Sequence, residues 1–240
     1  MRIGLLVLEC GLAAAFAAHA ADPREVWEQA VQAKGGRDRL HSVHALAIYM
    51  KPADVKLPGP LTNWLCVFPD RFFEFEGPIA GSERAVVVDG TADRVSLDAT
   101  GKPRSTGHLT WMERDRLTLN QLVFLLESAW LQPRPVEVRH SVLVVEAAGR
   151  MYRLFLNNAS LPERILSPPI PGQKPKIRYE YKLERYREFE GVMLPARVAW
   201  VGDVREWTWD VDYEIDAKYN PKLFARMPNT ADGPEPWRLR

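Results

Sequence analysis

Residues 206–215 have the sequence Glu-Trp-Thr-Trp-Asp-Val-Asp-Tyr-Glu-Ile, in which polar and apolar side chains alternate. A period of two is typical of a β-strand with one face on the core and the other in water. The same alternation occurs over 176–184 and 194–200. Strands with one solvated face belong to antiparallel sheets, so the C-terminal part of the chain predicts such a sheet.

Strand patterns continue outward from this stretch over most of the chain. They are separated by tight-turn signals such as Asp89-Gly90, Glu190-Gly191 and Gly202-Asp203. The predicted strands are 46–50, 61–68, 71–76, 84–89, 93–97, 136–147, 150–156, 162–167, 174–187, 193–201 and 204–215. About eleven strands joined by short turns predict a mainly β fold, either one strongly curved antiparallel sheet or an unclosed β-barrel.

Helical patterns interrupt the strands at two places. Near the N-terminus, Asp22 and Pro23 suit a helix start, and Gly35-Gly36 suits its end. Further on, Thr110-Trp-Met-Glu113 and Thr118-Leu-Asn-Gln121 both fit a capping box, and the second would begin the strongest helix, over 119–130. That helix is apolar on more than one side, which predicts that the helices cover the concave face of the sheet.

Composition and charge narrow the function. The chain has 240 residues, of which 46% are hydrophobic, and a net charge of +1. A packed core is therefore expected, and the charge balance argues against nucleic acid or an anionic membrane surface as the main partner. One β domain is predicted over 21–227, followed by a loose, proline-rich tail over 228–240.

The N-terminus resembles an export signal. Met1-Arg2 precedes a mainly apolar run, and Ala18-His19-Ala20 suits signal-peptidase cleavage. The apolar run is shorter than the ~20 residues of a membrane span. We therefore expect a signal peptide over 1–20 and a periplasmic mature protein without a stable membrane span, the alternatives being an uncleaved anchor or a lipoprotein modified at Cys10. Cys66 is then the remaining cysteine, and its apolar context indicates a small buried side chain.

Patterns typical of catalysis are absent from the sequence. It contains no nucleophile elbow, phosphate-binding loop, dinucleotide fingerprint or zinc-protease motif. The pair His41 and His44 is poorly spaced for a metal. His140 interrupts a predicted strand, as either a core histidine or a cavity-lining one. We expect no enzyme activity, no cofactor and no metal, and interpret the acidic row from Asp210 to Asp216 as cross-strand charge pairing, for example with Arg197.

The aromatic residues of the predicted strands form the candidate binding site. Seven rings would line one concave surface: Phe73, Phe75, Tyr179, Tyr181, Trp200, Trp207 and Trp209. Leu122 and Leu126 of the central helix would face them. The helices either fill this surface completely, or leave an apolar pocket between sheet and helix.

Several segments, taken in order, resemble a known family. They are Ala33-Lys-Gly-Gly-Arg-Asp-Arg-Leu40, Phe68-Pro-Asp-Arg-Phe72, Val86-Val-Val-Asp-Gly90, Arg164-Ile165, Tyr181-Lys-Leu-Glu-Arg-Tyr-Arg-Glu-Phe-Glu-Gly-Val-Met-Leu-Pro195 and Asn220-Pro-Lys-Leu-Phe224. With the central helices between them, they are similar to the periplasmic lipoprotein-carrier-like proteins, the LolA/LolB and outer-membrane lipoprotein-sorting group. The resemblance implies an unclosed β-barrel with a helical lid that holds acyl chains or other lipid.

Two functions are consistent with these features. One is a periplasmic binding or carrier protein for a lipid or another apolar ligand, acting in outer-membrane or envelope assembly. The other is a non-enzymatic accessory or structural subunit of the envelope, with a filled cavity and a protein partner.

Overall fold

The computed structural model describes residues 21–54, 62–68, 71–79, 82–89, 93–97, 103–108, 111–169, 179–202 and 206–224. For 75–79, 82–89, 93–97, 103–108, 111–114, 116, 222 and 223 it describes the backbone alone. The predicted signal peptide and the predicted tail lie outside these ranges.

Most of the described chain forms one antiparallel sheet. Its strands are β1 (Ala45–Pro52), β2 (Thr62–Val67), β3 (Arg71–Ile79), β4 (Ser82–Asp89), β5 (Asp93–Leu97), β6 (Pro103–His108), β7 (Arg134–Arg139), β8 (Val142–Ala147), β9 (Arg150–Leu156), β10 (Pro162–Leu166), β11 (Glu180–Phe189), β12 (Val192–Val201) and β13 (Glu206–Ile215). The helices are α1 (Pro23–Lys34), α2 (Arg37–His41) and α3 (Trp111–Phe124), with a short 3-10 helix over Pro221–Phe224.

The order of the strands leaves the sheet open. Across the sheet they lie as β6-β5-β4-β3-β2-β1-β13-β12-β11-β10-β9-β8-β7, so β6 and β7 are the two edges. Two meanders thus meet where β1 pairs with β13. Helix α3 connects the two edge strands and crosses the face between them. This arrangement is the predicted unclosed barrel with a helix on its concave face.

Sequence patterns predicted fewer strands than the described residues form. The predicted strand 136–147 is the hairpin β7–β8, with His140 and Ser141 in its turn at φ 47° and 65°. Positive φ at both central residues is the type I′ geometry of tight hairpins, usually signalled by Asn or Gly, and neither is present. The exposed His140 is therefore neither a core nor a cavity-lining residue. Strand β6 was also missed, because Pro103–His108 shows no alternation of apolar side chains.

The predicted central helix was wrong at both ends. Helix α3 begins at Trp111, so Thr118 lies inside it and does not cap it. It ends at Phe124, and Leu126 adopts a left-handed φ of 64°. Trp130 therefore does not belong to a helix, although it follows the apolar periodicity of the preceding turns.

The two faces of the sheet bury different side chains. On the inner face, Ile48 of β1 pairs with Tyr213 of β13, and both belong to the main hydrophobic cluster. Phe124 of α3 packs on the same face, with its ring centroid 5.9 Å from that of Tyr213. On the outer face, Phe73 belongs to a smaller cluster that includes Phe224 of the 3-10 helix. The prediction that Phe73 shares a surface with the tryptophans was therefore wrong.

Helices α1 and α2 are fixed to the end of the sheet where β11 turns into β12. Asp22 accepts a hydrogen bond from the Arg24 backbone N–H at 2.9 Å and caps α1 as predicted. Gly35 ends α1 at φ 127°, and a Cβ there would lie 2.2 Å from the carbonyl oxygen of Gly191. Arg39 Nε donates to the Glu190 carbonyl at 2.7 Å. Only glycine permits this close approach of helix end and turn.

Candidate ligand-binding site

A cavity of about 220 Å³ lies between α3 and the inner face of strands β1 to β3. It is lined by Leu46, Cys66, Phe68, Arg71, Phe72, Leu117, Thr118, Asn120, Gln121, Phe124, Trp130 and Leu131. The lining combines a mainly apolar surface with a few polar groups, which is the usual character of sites for small apolar ligands. We call this space the α3 cavity.

The α3 cavity has a buried floor and an exposed rim. Leu46, Phe72 and Phe124 are buried at the floor. At the rim, Arg71 is exposed, and Trp130 keeps 42% of its surface accessible. A ligand can therefore reach the cavity from the side of the rim.

Trp130 is held at the rim by aromatic contacts. Its ring stacks on Phe68 with a centroid distance of 6.0 Å and meets His44 edge-on at 5.8 Å. Phe68 follows the end of β2, and His44 precedes β1. Stacked and edge-to-face pairs of this kind are favourable beyond the area they bury, so the Trp130 ring has a defined position beside the opening.

The backbone around Trp130 is fixed by Ser128. The Ser128 hydroxyl accepts hydrogen bonds from the backbone N–H groups of Trp130, at 3.2 Å, and Leu131, at 3.1 Å. Gln121 of α3 donates its side-chain amide to the same hydroxyl oxygen. The turn that carries the rim is therefore connected to the helix that forms one wall of the cavity.

Glu127 anchors the same turn to α1 and α2. Its buried carboxylate accepts hydrogen bonds from the Trp27 indole at 3.0 Å and from Arg37 Nε at 2.7 Å. His41 Nε2 lies 3.2 Å from Glu127 Oε1, although its alignment is not that of a hydrogen bond. The hydrogen bond from Arg37 to Glu127 raises the pKa of the guanidinium further above its usual value. Helices α1 and α2 and the turn after α3 thus meet at one buried charge that is compensated by Arg37.

A second polar network lies behind the cavity wall. Asp115 accepts a hydrogen bond from the Tyr152 hydroxyl, and Arg150 Nε lies 3.4 Å from the same carboxylate. Burial raises the pKa of Asp115, an effect that Tyr152 and Arg150 oppose. Burial raises the pKa of Tyr152, an effect that the nearby Thr118 side chain opposes. These groups connect α3 with β9, which lies in the meander of the sheet that does not contain β1.

The predicted tryptophans form a separate row. Ring centroids are 5.8 Å apart for Tyr179 and Trp200, 5.7 Å for Trp200 and Trp207, and 6.0 Å for Trp207 and Trp209. These four rings lie together on one face, as the alternation predicted. They are not among the residues that line the α3 cavity. Whether they contact a ligand stays a prediction.

The other predicted site residues lie in several places. Leu122 and Leu126 are fully buried in the core and do not line the α3 cavity. Tyr181 is buried, and its hydroxyl donates to Asn120 Oδ1 at 3.3 Å, which places it just behind the cavity wall. Phe73 lies on the outer face, and the side chain of Phe75 is outside the described residues.

The site residues predicted from the sequence include none of the residues that line the cavity. Leu46 and Cys66 are opposite each other in the β1–β2 register, so strand alternation could have placed both on the inner face. Asn120, a polar residue in an apolar helix, could likewise have indicated the side of the helix that lines the cavity. Trp130 could not be found this way, because its position depends on the turn after Leu126.

Neither a metal site nor a membrane-spanning helix occurs in the described part of the chain. No group of three or more His, Cys, Asp or Glu side chains there is arranged to hold a metal ion. No helix within the same ranges has the length and apolar character needed to cross a membrane. Asp210 forms the predicted cross-strand ion pair with Arg197, at 2.9 Å.

The chain has a LolA-like fold. A LolA superfamily protein from Nitrosomonas europaea matches it with a TM-score of 0.50 and 14% sequence identity, over 86% of this chain and 99% of that chain. No protein-family model and no curated protein matches the sequence.

Two further solved structures are similar to this chain. One is a putative outer membrane lipoprotein-sorting protein domain from Vibrio parahaemolyticus, with a TM-score of 0.42, 10% identity, and coverage of 85% of this chain and 97% of that chain. The other is a DUF1329 family protein from Desulfovibrio piger, with a TM-score of 0.47, 10% identity, and coverage of 85% and 98%.

Proposed function

We propose that the protein is a periplasmic binding or carrier protein for a lipid or another apolar ligand. The observation that carries this proposal is the α3 cavity, a mainly apolar space with an exposed rim between helix and sheet. Aromatic and aliphatic side chains form most of its lining, so an apolar group gains free energy on entering it.

The size of the cavity limits what it holds. At about 220 Å³ it is smaller than the roughly 300–1,000 Å³ that is typical of sites for drug-sized ligands. It therefore suits one end of an acyl chain or a small apolar molecule. A whole lipid would require α3 or the turn at Trp130 to move away from the sheet.

The periplasmic location rests on the sequence of residues 1–20 and agrees with the LolA-like fold. The sequence contains none of the catalytic motifs named above, which supports binding as the role rather than catalysis.

A second function is favoured by the packing of the helices. Leu119, Leu122, Val123 and Phe124 of α3 are all buried in the main hydrophobic cluster, so the helix fills much of the inner face itself. A non-enzymatic accessory or structural envelope subunit with a protein partner would need no ligand space. In that case the α3 cavity would be a packing defect that binds nothing saturably.

Cys66 provides the test of ligand binding. It lines the α3 cavity and, after removal of residues 1–20, it is the remaining thiol of the chain. A ligand in the cavity should slow the reaction of Cys66 with an aromatic disulfide reagent. We expect fatty acids and lysophospholipids to do so saturably, whereas sugars, nucleotides and metal ions should not.

A cavity-filling variant shows whether the effect arises in the cavity. Leu117→Trp adds a large ring to the wall and should abolish the protection by amphiphiles. The matched control is Met151→Trp, because Met151 is exposed on β9 and does not line the cavity. Protection that survives Leu117→Trp, or no protection by any amphiphile in the original protein, would favour the accessory-subunit function.

A further inference from the structure

Asn120 differs from the other described polar groups around the α3 cavity. Only 3% of its surface is exposed, and its Oδ1 accepts a hydrogen bond from Tyr181. Its Nδ2, in contrast, is buried without a hydrogen-bond partner among the residues that the structure describes. Buried polar groups are nearly always paired, so an unpaired donor in a cavity wall requires a physical explanation.

The other polar side chains of the lining have contacts within the protein. The Thr118 side chain interacts with Tyr152, and the Gln121 amide donates to Ser128. At the rim, the Arg71 guanidinium lies 5.8 Å from the centroid of the Phe224 ring. The Asn120 amide is therefore the donor best placed for a group that enters the cavity.

We infer that Asn120 donates a hydrogen bond to an acceptor oxygen of the ligand, so that the cavity selects compounds with a carbonyl group over hydrocarbons of the same shape. This inference rests on the proposed binding function and adds the chemistry of the ligand to it. A carbonyl that leaves water for an apolar cavity loses its hydrogen bonds. The Asn120 amide replaces one of them, and its own unpaired donor is satisfied at the same time.

The location of Asn120 places the acceptor inside the cavity. Asn120 and its neighbour Phe124 belong to the buried floor, whereas Arg71 and Trp130 are at the exposed rim. The ligand therefore carries its carbonyl on the part that enters, and any charged group remains near the rim.

A matched pair of small probes tests this selection. Acetophenone and ethylbenzene have similar shapes, and they differ mainly in the carbonyl oxygen. Affinities are measured as the probe concentration that halves the rate of Cys66 modification. We expect the ratio of ketone affinity to hydrocarbon affinity to fall about three- to tenfold in Asn120→Leu, the range that one neutral hydrogen bond accounts for.

The control variant is Ser167→Ala. It removes a buried polar side chain whose hydroxyl accepts a hydrogen bond from the Tyr179 backbone N–H. Because Ser167 does not line the cavity, the ratio of the two affinities should stay as in the original protein.

A measurement on the original protein covers the case in which Asn120→Leu does not fold. The side-chain amide protons of Asn120 should move downfield in nitrogen-15 correlated NMR spectra with acetophenone, and not with ethylbenzene. An unchanged affinity ratio in Asn120→Leu, or unmoved amide protons with bound ketone, overturns the inference and leaves the proposed function standing. If neither these probes nor fatty acids protect Cys66 in the original protein, both proposals are wrong.

Discussion

The indole N–H of Trp27 donates a 3.0 Å hydrogen bond to the buried carboxylate of Glu127, a residue one hundred positions further along the chain. Trp27 lies on α1, and Glu127 lies on the turn that carries the rim of the α3 cavity. Arg37, at the start of α2, binds the same carboxylate. The position of the rim therefore depends on two helices that contribute no residue to the cavity lining.

Substitution of Glu127 should loosen this junction. Glu127→Gln removes the charge that Arg37 compensates but preserves the shape of the side chain. We expect the free energy of unfolding in urea to fall by about 1–3 kcal/mol, since hydrogen bonds to buried charged groups contribute in this range.

The control for Glu127 is Glu28, which binds the same arginine on the surface. Glu28 lies 2.9 Å from Arg37, and more than half of its side chain is exposed. Glu28→Gln should therefore cost less than about 1 kcal/mol, as exposed ion pairs do. Equal losses for the two variants would show that the burial of Glu127 has no energetic consequence.

Lys34 at the end of α1 should make stability depend on pH. Its side chain is fully buried, its Nζ has no hydrogen-bond partner among the described residues, and it lies 5.2 Å from the centroid of the Tyr186 ring. Burial lowers the pKa of Lys34 to about 7. The folded protein thus disfavours the charged amine, which the unfolded chain keeps up to its ordinary pKa of about 10.4.

We expect Lys34→Met to stabilise the protein, and more so at low pH. Below pH 7 the amine is charged in both states, so the full cost of burying the charge is present. As the pH rises above 7, the folded protein releases the proton before the unfolded chain does, and the cost declines. The gain in unfolding free energy should be about 2–3 kcal/mol larger at pH 6 than at pH 9. A gain independent of pH would mean that Lys34 reaches solvent or a partner.

Strand alternation predicted much of the fold because it reports which face of the sheet is buried. Trp200 and Trp207, for example, are direct neighbours in the β12–β13 register, as the period of two implies. Alternation alone could not show whether a buried side chain lies on the inner or the outer face of the sheet. Phe73 is as deeply buried as an inner-face residue because the 3-10 helix around Phe224 covers it from outside.

The candidate site was harder to predict than the sheet. Apolar periodicity continues through Leu126 to Trp130, so the sequence favoured one helix across this segment. The left-handed conformation of Leu126 and the hydrogen bonds of Ser128 end the helix earlier. The side chain of Trp130 is consequently at the cavity rim. The early end of the helix depends on tertiary contacts, here those of Glu127 with Trp27 and Arg37. No local sequence pattern reveals contacts of this kind.

Leu122 should be a close-packed residue of α3. Its side chain is fully buried in the main cluster and does not line the cavity. Leu122→Ala should therefore lower the free energy of unfolding in urea by about 2–5 kcal/mol. Met151→Ala, at an exposed position, should change it by less than about 0.5 kcal/mol. A loss below about 1 kcal/mol at Leu122 would contradict close packing of α3 on the sheet.

Tryptophan fluorescence should distinguish the α3 cavity from the predicted aromatic row as the place where a ligand binds. Trp130 is at the cavity rim, whereas Trp209 contacts Trp207 in the row and does not line the cavity. If a fatty acid enters the α3 cavity, the ring of Trp130 is the indole whose surroundings change most. The saturable change in emission should therefore be lost in Trp130→Phe and kept in Trp209→Phe. Both substitutions replace an indole by a smaller ring, so they serve as controls for each other. Loss of the change in Trp209→Phe alone would instead place the ligand on the row formed by Tyr179, Trp200, Trp207 and Trp209.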